Sequence, residues 1–113
     1  MYIGEAAKKS GASERAIRLY ESMGLLKVSR AGKYRVFSAA DIEFIRLIKE
    51  GQSLGLQLTE LKELANGEQD FDWIKVVQLL AKKQESIVSQ IKMLEVQHSR
   101  VDEYRQAIEQ CNY

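Results

Sequence analysis

The sequence predicts a mainly α-helical protein in which a small head with one β-hairpin is followed by a single long helix. Residues 13–25 have the spacing of a short amphipathic helix that begins at a capping serine and ends at a glycine. Residues 32–37 form a glycine-tipped hairpin in which basic and aromatic side chains are neighbours. Residues 77–108 repeat apolar side chains in steps of three and four. A helix followed by a basic hairpin indicates a winged helix-turn-helix head.

Two short helices are predicted to open the head. The first covers residues 3–9, with Ile3, Ala6 and Ala7 facing inward, and a glycine turn ends it. Ser13 is a typical N-cap residue for the second helix, which continues to a C-terminal glycine at Gly24. Its predicted buried stripe consists of Ala16, Ile17 and Tyr20.

A hairpin and two further helices complete the predicted head. Residues 25–37 alternate loosely and break at Ala31-Gly32, which favours a short hairpin, the wing. Ser38 and Asp41 nearly match a capping box at the start of a third helix, which fades at residues 51–55. A fourth helix covers about residues 58–65. The predicted inward residues of these two helices are Ile42, Ile45, Leu47, Ile48, Leu58, Leu61 and Leu64.

The C-terminal part predicts a helix that pairs with another helix. We place the winged helix-turn-helix domain at residues 1–67, and a linker (best placed at 67–70) with the dimerisation helix at residues 68–113. Such a helix is more than about 50 Å long and cannot bury its apolar stripe on so small a head, so it needs a partner, most simply a second copy. The predicted dimerisation residues are Val77, Leu80, Ile87, Ile91, Leu94, Val101 and Ile108, and Gln84, His98 and Arg105 interrupt one of the two seam rows.

Composition and charge narrow the possible functions. The first 40 residues carry eight basic and three acidic side chains, whereas residues 67–113 carry six basic and eight acidic ones. This asymmetry favours an N-terminal part that faces phosphates. No apolar run reaches the roughly 20 residues that span a bilayer, so no membrane contact is expected. A single cysteine, Cys111, favours a reducing cytoplasm. No catalytic set of side chains or phosphate loop is present, which argues against an enzyme, and no cofactor is predicted.

Several motifs occur in an order that is highly specific. They are Ile3-Gly-Glu-Ala-Ala7, Arg15-Ala-Ile-Arg-Leu-Tyr-Glu-Ser-Met-Gly-Leu25, Tyr34-Arg-Val-Phe37, the Asp41 to Ile48 segment and Leu54-Gly-Leu56. In these motifs residues 2–65 resemble the MerR family of bacterial transcription regulators. The chain departs from that family in having no proline in the wing, Gln57 before the fourth helix and Leu19 in place of the first of two tandem tyrosines.

The resemblance implies a regulator that binds double-stranded DNA as a homodimer through an antiparallel coiled coil. It implies a pseudo-palindromic promoter operator whose spacer is distorted, with RNA polymerase as a further partner. Arg15 and Arg18 would face the major groove or its rim, whereas Tyr20, Lys33, Tyr34 and Arg35 would reach phosphates. The alternatives are a solvated helix face for the two helix arginines, and packing roles for the two tyrosines.

Residues near the long helix leave the effector open. Family members usually place a sensor at or beyond the end of this helix, and no separate ligand-binding domain is expected in this chain. A thiolate metal site is not predicted, because Cys111 has no cysteine partner; it is either an oxidation sensor or an incidental tail residue. His98 is predicted to be a tolerated polar residue of the seam, the alternatives being a ligand or a pH switch. Trp73 and Phe71 either pack on the head or cap a small pocket. The alternative functions are an excisionase-like architectural DNA binder and a coiled-coil interaction module.

Overall fold

The computed structural model describes residues 1–111 and confirms the mainly α-helical fold with one small hairpin. The elements, in chain order, are α1 (Ile3–Ser10), α2 (Glu14–Ser22), β1 (Ser29–Ala31), β2 (Tyr34–Val36), α3 (Ala39–Ser53), α4 (Leu58–Leu64) and α5 (Trp73–Gln110). Every element predicted from the sequence is present, most of them close to their predicted bounds. The two strands pair in antiparallel register, with Arg30 opposite Arg35.

Local hydrogen bonds explain where the helices of the head begin. The Ser13 hydroxyl oxygen accepts a hydrogen bond from the Ala16 backbone N–H at 3.0 Å. The Ser38 hydroxyl accepts from the Asp41 N–H at 3.1 Å, and the Asp41 carboxylate accepts from the Ser38 N–H at 2.9 Å, which completes the predicted capping box. Gly24 follows α2 at a φ of 78°, a conformation that glycine adopts without strain. These predictions from sequence are confirmed.

The chain divides into two compact units, residues 1–73 and the residues from Ile74 onward. The predicted linker at residues 67–70 belongs with the first unit. The Asn66 N–H donates to the Asp70 carbonyl oxygen at 2.9 Å, and the Asp72 N–H donates to the Leu64 carbonyl oxygen at 2.7 Å. Phe71 is only 5% exposed. The segment therefore folds back onto the head, and the division lies after it.

Helix α3 supplies much of the core of the head. Its buried residues include Ile42, Ile45 and Ile48, as predicted, and also Phe44, which the prediction missed. The Phe44 ring packs against Phe71 with the two centroids 5.0 Å apart. Leu47 and Leu58, both predicted to face inward, are half-buried. The other large, fully buried side chains are Ile17, Tyr20, Leu26 and Phe37.

Gly51 lies where α4 approaches α3 closely, and an added methyl group is expected to destabilise the head. A Cβ atom at Gly51 would lie 2.7 Å from the Leu61 Cδ2 atom, and Leu61 is itself buried. We expect Gly51→Ala to lower the free energy of unfolding by about 1–3 kcal/mol, as overpacking of a core does. Urea denaturation followed by circular dichroism measures this change.

The matched control for Gly51→Ala is Gly4→Ala in α1, where an added Cβ atom has no neighbour within 4 Å. Since alanine favours a helix over glycine by roughly 0.5–1 kcal/mol, this variant is expected to be as stable as the parent or more stable. Equal stability changes for the two variants would contradict the close helix contact.

Helix α5 forms most of the second unit and is about 57 Å long at 1.5 Å per residue. None of its residues is buried within this chain. All seven predicted dimerisation residues lie in it, and each is exposed or half-buried. The helix therefore carries an apolar seam that no other part of residues 1–111 covers. No helix among the described residues is long and apolar enough to cross a membrane.

Candidate nucleic-acid interface

Helix α2 presents one buried side and one basic side. Ile17 and Tyr20 are 0% and 1% exposed and attach the helix to the core. Arg15 and Arg18 are both exposed. Arg18 forms a loose ion pair with Glu14, whose carboxylate lies 3.7 Å away on the preceding turn, and Arg15 forms no ion pair with any described residue. Both arginines are thus available to a ligand, as a major-groove contact requires.

Tyr20 does not have the predicted role of a phosphate contact. Its ring is in the core, and its hydroxyl group donates a hydrogen bond to the Gln52 side-chain oxygen at 2.8 Å. The prediction is wrong because Tyr20 follows Ile17 on the buried side of α2, so the packing alternative describes it. Burial raises the pKa of the Tyr20 hydroxyl above its ordinary value of 10.0, because the ionised form is poorly solvated there.

The packing role of Tyr20 predicts a stability effect without a DNA-binding effect. Tyr20→Phe keeps the ring and removes the hydrogen bond to Gln52, so we expect the free energy of unfolding to fall by about 1 kcal/mol. We expect the affinity for DNA to change by less than about twofold. Thermal unfolding and a DNA titration of the same sample measure the two quantities. A large loss of affinity without a loss of stability would restore the phosphate contact.

The raised pKa of Tyr20 adds a pH dependence to this comparison. The folded state holds the hydroxyl proton more tightly than the unfolded state, so its contribution to stability is complete below pH 10 and is lost as the pH rises through the raised pKa. The parent should therefore lose stability above pH 10 more steeply than Tyr20→Phe. Parallel curves for the two proteins would contradict this.

The wing brings its aromatic and basic residues to one end of the hairpin. Gly32 and Lys33 form its two-residue turn, and Lys33 is exposed with its Nζ atom 5.5 Å from the Tyr34 ring centroid. The Tyr34 ring packs against Tyr2, with centroids 5.9 Å apart, and remains 58% exposed. Tyr34 thus packs against the head with one part of its ring and leaves its remaining surface open to a ligand.

Arg35, which the resemblance places at a phosphate, forms an ion pair with Glu21 of α2. Its Nε atom donates to the Glu21 Oε1 atom at 2.7 Å. Arg30, on the opposite strand, also donates to Glu21, from Nη2 to Oε1 at 3.1 Å and to Oε2 at 3.3 Å. The sequence analysis did not predict that Glu21 pairs with both arginines. A signal was present: a two-residue turn at 32–33 places residues 30 and 35 opposite each other, and such like charges call for a carboxylate nearby.

A hydrogen-bonded group centred on Gln69, which the sequence analysis did not predict, joins the wing to α3. Gln69 has a φ of 58°, the positive value that non-glycine residues rarely adopt. Its side-chain amide donates to the Asp41 carboxylate at 2.6 Å and to the Lys27 carbonyl oxygen at 3.2 Å, and accepts from the Lys27 N–H at 3.2 Å. Gln69 therefore connects the segment that precedes β1 to the first turn of α3.

The remaining candidate residues have simpler environments. Phe71 packs on the head as predicted, whereas Trp73 is half-exposed and donates from its ring N–H to the Asp70 carboxylate at 3.2 Å. His98 and Cys111 are both exposed. Within residues 1–111, no three histidine, cysteine, aspartate or glutamate residues are grouped so that they could hold a metal ion.

Comparison with known proteins relates the head to DNA-binding regulators. A family model described as "MerR HTH family regulatory protein" matches residues 1–68. The chain is 41% identical to the HTH-type transcriptional regulator HmrR of Sinorhizobium medicae over 66 residues. The aligned region covers 57% of this chain and 45% of that protein. The chain is 36% identical over 66 residues to the HTH-type transcriptional regulator CueR of Yersinia pestis, covering 57% and 48% of the two chains. The chain therefore spans about half the length of the curated relatives it matches.

Solved structures extend the likeness beyond the head. The transcription regulator PbrR691 from Ralstonia metallidurans, in complex with lead(II), matches with a TM-score of 0.77 and 22% identity, over 94% of this chain and 86% of that chain. A putative MerR family regulator from Listeria monocytogenes matches with a TM-score of 0.63 and 27% identity, over 90% and 80% of the two chains. The first of these likenesses shows the fold alone, which includes a long C-terminal helix.

Proposed function

This chain belongs to the family of MerR HTH regulatory proteins, and from that premise we propose that it is a sequence-specific DNA-binding transcription regulator that binds a promoter operator as a homodimer. The observation that carries the proposal is the basic side of α2, with Arg15 and Arg18 exposed beside a basic wing. Members of this family are regulators rather than enzymes, and a regulator of promoters works in the cytoplasm of a bacterial cell.

Each part of the head has a distinct task in this proposal. An α-helix is about 10–12 Å across and fits the major groove, which is about 12 Å wide. Arg15 and Arg18 would contact base edges from there, where an arginine can donate two hydrogen bonds to a guanine. Lys33, Tyr34 and Arg35 of the wing would contact phosphates, which position the head without reading the sequence.

Helix α5 would join two heads into one DNA-binding unit. Its uncovered seam would pair with the same seam of a second copy, in the antiparallel orientation that the family resemblance implies. A dimer with twofold symmetry binds two related half-sites, so the operator would be pseudo-palindromic. Distortion of the spacer between them costs several kcal/mol, and contacts to phosphates would offset it. Recruitment or repositioning of RNA polymerase is part of this proposal.

Two observations weigh against the alternatives. An excisionase-like architectural protein has no need of α5, a helix of 38 residues that carries a seam at heptad spacing over residues 77–108. A coiled-coil interaction module has no need of the exposed arginines of α2.

The names of several relatives refer to heavy metals, for example a heavy metal-dependent regulator of Rhizobium meliloti. The described residues offer no grouped metal donors, and we propose no metal-responsive function for them.

Selection of bound duplexes from a random DNA pool tests the proposal. The full chain is expected to enrich an inverted repeat with a fixed spacing between its halves. Binding to that sequence should exceed binding to random DNA by at least about a thousandfold, as is typical of specific regulators. Failure to enrich any sequence at low salt, where phosphate attraction is strongest, would reject the regulator and favour the interaction module.

A further inference from the structure

A single carboxylate, that of Glu21, joins α2 to both strands of the wing. Glu21 lies in the last turn of α2, and its Oε1 atom accepts hydrogen bonds from Arg35 Nε at 2.7 Å and from Arg30 Nη2 at 3.1 Å. The exposed fractions of these side chains are 20% for Glu21, 26% for Arg35 and 44% for Arg30. The Glu21 carboxylate and the Arg35 guanidinium are therefore the more protected pair, and solvent screens them less than the other ion pairs of the head.

The strand register explains why the wing needs this carboxylate. Arg30 and Arg35 are directly opposite each other in the two-stranded sheet, where like charges are destabilising. Glu21 offsets that repulsion and leaves the group of three with one net positive charge. The sheet itself has only three residue pairs, so contacts with the rest of the head, such as those of Tyr34 with Tyr2 and of the two arginines with Glu21, help to fix its geometry. The ion pairs to Glu21 thus tie a minimal hairpin to the end of α2.

The contact also orients the Arg35 side chain. A guanidinium group is planar and carries five N–H donors in a fixed arrangement. Glu21 engages the Nε donor, and the two Nη groups form no hydrogen bond with any described residue. An arginine that is anchored through Nε retains a pair of donors whose direction is fixed, which is the geometry that binds a phosphate with two hydrogen bonds.

We propose that Glu21 is a positioning residue, which fixes the wing arginines, and Arg35 above all, relative to the arginines of α2. The wing then contacts phosphates in the same placement of the head in which Arg15 and Arg18 reach base edges. This inference rests on the proposed DNA-binding function. It assigns a role in DNA binding to Glu21, a negatively charged residue among the arginines of α2 and the wing.

For the loss of the Glu21 carboxylate, the proposal and simple electrostatics predict opposite changes in the affinity for the operator. A carboxylate beside the wing repels phosphates, so its removal by itself should strengthen binding to every DNA sequence. If Glu21 positions Arg35, its removal should instead weaken binding to the operator, while binding to random DNA stays the same or becomes tighter. The ratio of the two affinities therefore separates positioning from charge.

The test uses the full chain with Glu21→Gln, and the operator selected with the unmodified chain. Fluorescence anisotropy at several salt concentrations gives the Kd for the operator and for a random duplex of equal length. We expect Glu21→Gln to bind the operator about tenfold more weakly, as expected for one lost charge-assisted contact. The matched control is Glu43→Gln on α3, which removes one carboxylate from an exposed ion pair with Arg46 and should keep the affinity ratio within about twofold.

Two further variants distinguish positioning from misfolding. Glu21→Asp keeps the charge but shortens the side chain by one methylene group, and it should also lower the operator-to-random ratio. In an Arg35→Gln background, Glu21→Gln should have a much smaller effect on that ratio, because the residue acts mainly through Arg35. Melting temperatures of all variants are recorded alongside.

The possible outcomes distinguish a failure of the positioning role of Glu21 from a failure of the proposed DNA-binding function. Failure of the unmodified chain to select any operator rejects the regulator itself. Tight operator binding by the unmodified chain, together with an unchanged ratio in Glu21→Gln and Glu21→Asp, overturns the positioning role alone. An equal loss of affinity for both duplexes with a lowered melting temperature in both Glu21 variants also overturns it, because Glu21 then serves only the stability of the head.

Discussion

Replacement of Leu94 by glutamate is expected to convert the proposed dimer into monomers and to weaken operator binding more than a hundredfold. Leu94 is the middle member of the apolar seam row that runs from Leu80 to Ile108, and it is 63% exposed in the single chain. In an antiparallel pair of α5 helices, the middle of each seam lies near the middle of the other. The substitution therefore places two carboxylates near each other in an apolar contact.

The size of the effect follows from two terms. A buried leucine side chain contributes about 1.5–3 kcal/mol, and the substitution removes one from each protomer and adds a buried charge to each. In a dimer, binding of one head to DNA holds the second head near its half-site at a millimolar effective concentration. This advantage is lost once the protomers separate. Loss of such linkage lowers the affinity by about 10² to 10⁴, although the contacts of each head are unchanged.

Val96→Glu is the matched control for Leu94→Glu. Val96 is 62% exposed and lies on the opposite side of α5 from the seam, two residues along the chain. The same chemical change there should leave both the mass in solution and the operator affinity nearly unchanged. Analytical ultracentrifugation and a DNA titration measure the two. A stable dimer of Leu94→Glu, or equal disruption by Val96→Glu, would contradict the predicted seam.

The elements of the head were predictable because their signals are local in the chain. Ser13 and Ser38 cap helices through atoms three residues away, so the sequence around each contains all the information that is needed. Gly24 ends α2 for a reason that is equally local. The seam of α5 is also a local signal, because it depends only on a repeat along one helix, whereas the identity and orientation of its partner depend on a second chain.

The roles of individual surface residues were harder to predict because they depend on distant parts of the chain. The hydroxyl group of Tyr20 has its partner 32 residues further on, in Gln52, and only the packed structure shows that this pair is internal. Arg35 and Glu21 are 14 residues apart and meet through the fold of the wing. Gln69 reaches back 42 residues to Lys27, from a backbone conformation that no sequence pattern indicated. The types and spacing of the residues in the sequence identified the basic surface of α2 and the wing. They did not identify the hydrogen bonds and ion pairs that these residues make within the chain.

Arg15→Ala is expected to weaken operator binding by about 5- to 150-fold and to weaken binding to random DNA far less. The reason is that Arg15 is exposed on the basic side of α2, beside no carboxylate that pairs with it, so its full fork of donors is free for a base edge. An arginine that donates two hydrogen bonds to guanine supplies about 1–3 kcal/mol of discrimination, and this free energy corresponds to the expected loss of affinity. A phosphate contact would instead reduce both affinities and lower the salt dependence by about one charge.

Two controls decide whether the arginine reads bases or only adds charge. Arg15→Lys keeps the positive charge but loses the planar fork, so it should resemble Arg15→Ala in the operator-to-random ratio while binding random DNA like the parent. Lys49→Ala removes an exposed positive charge from α3, a helix to which no DNA contact is assigned, and should leave that ratio unchanged. If Arg15→Lys restored the operator affinity fully, the arginine would act as a point charge on the backbone, and base reading by α2 would fall to Arg18, whose donors must first leave the Glu14 carboxylate.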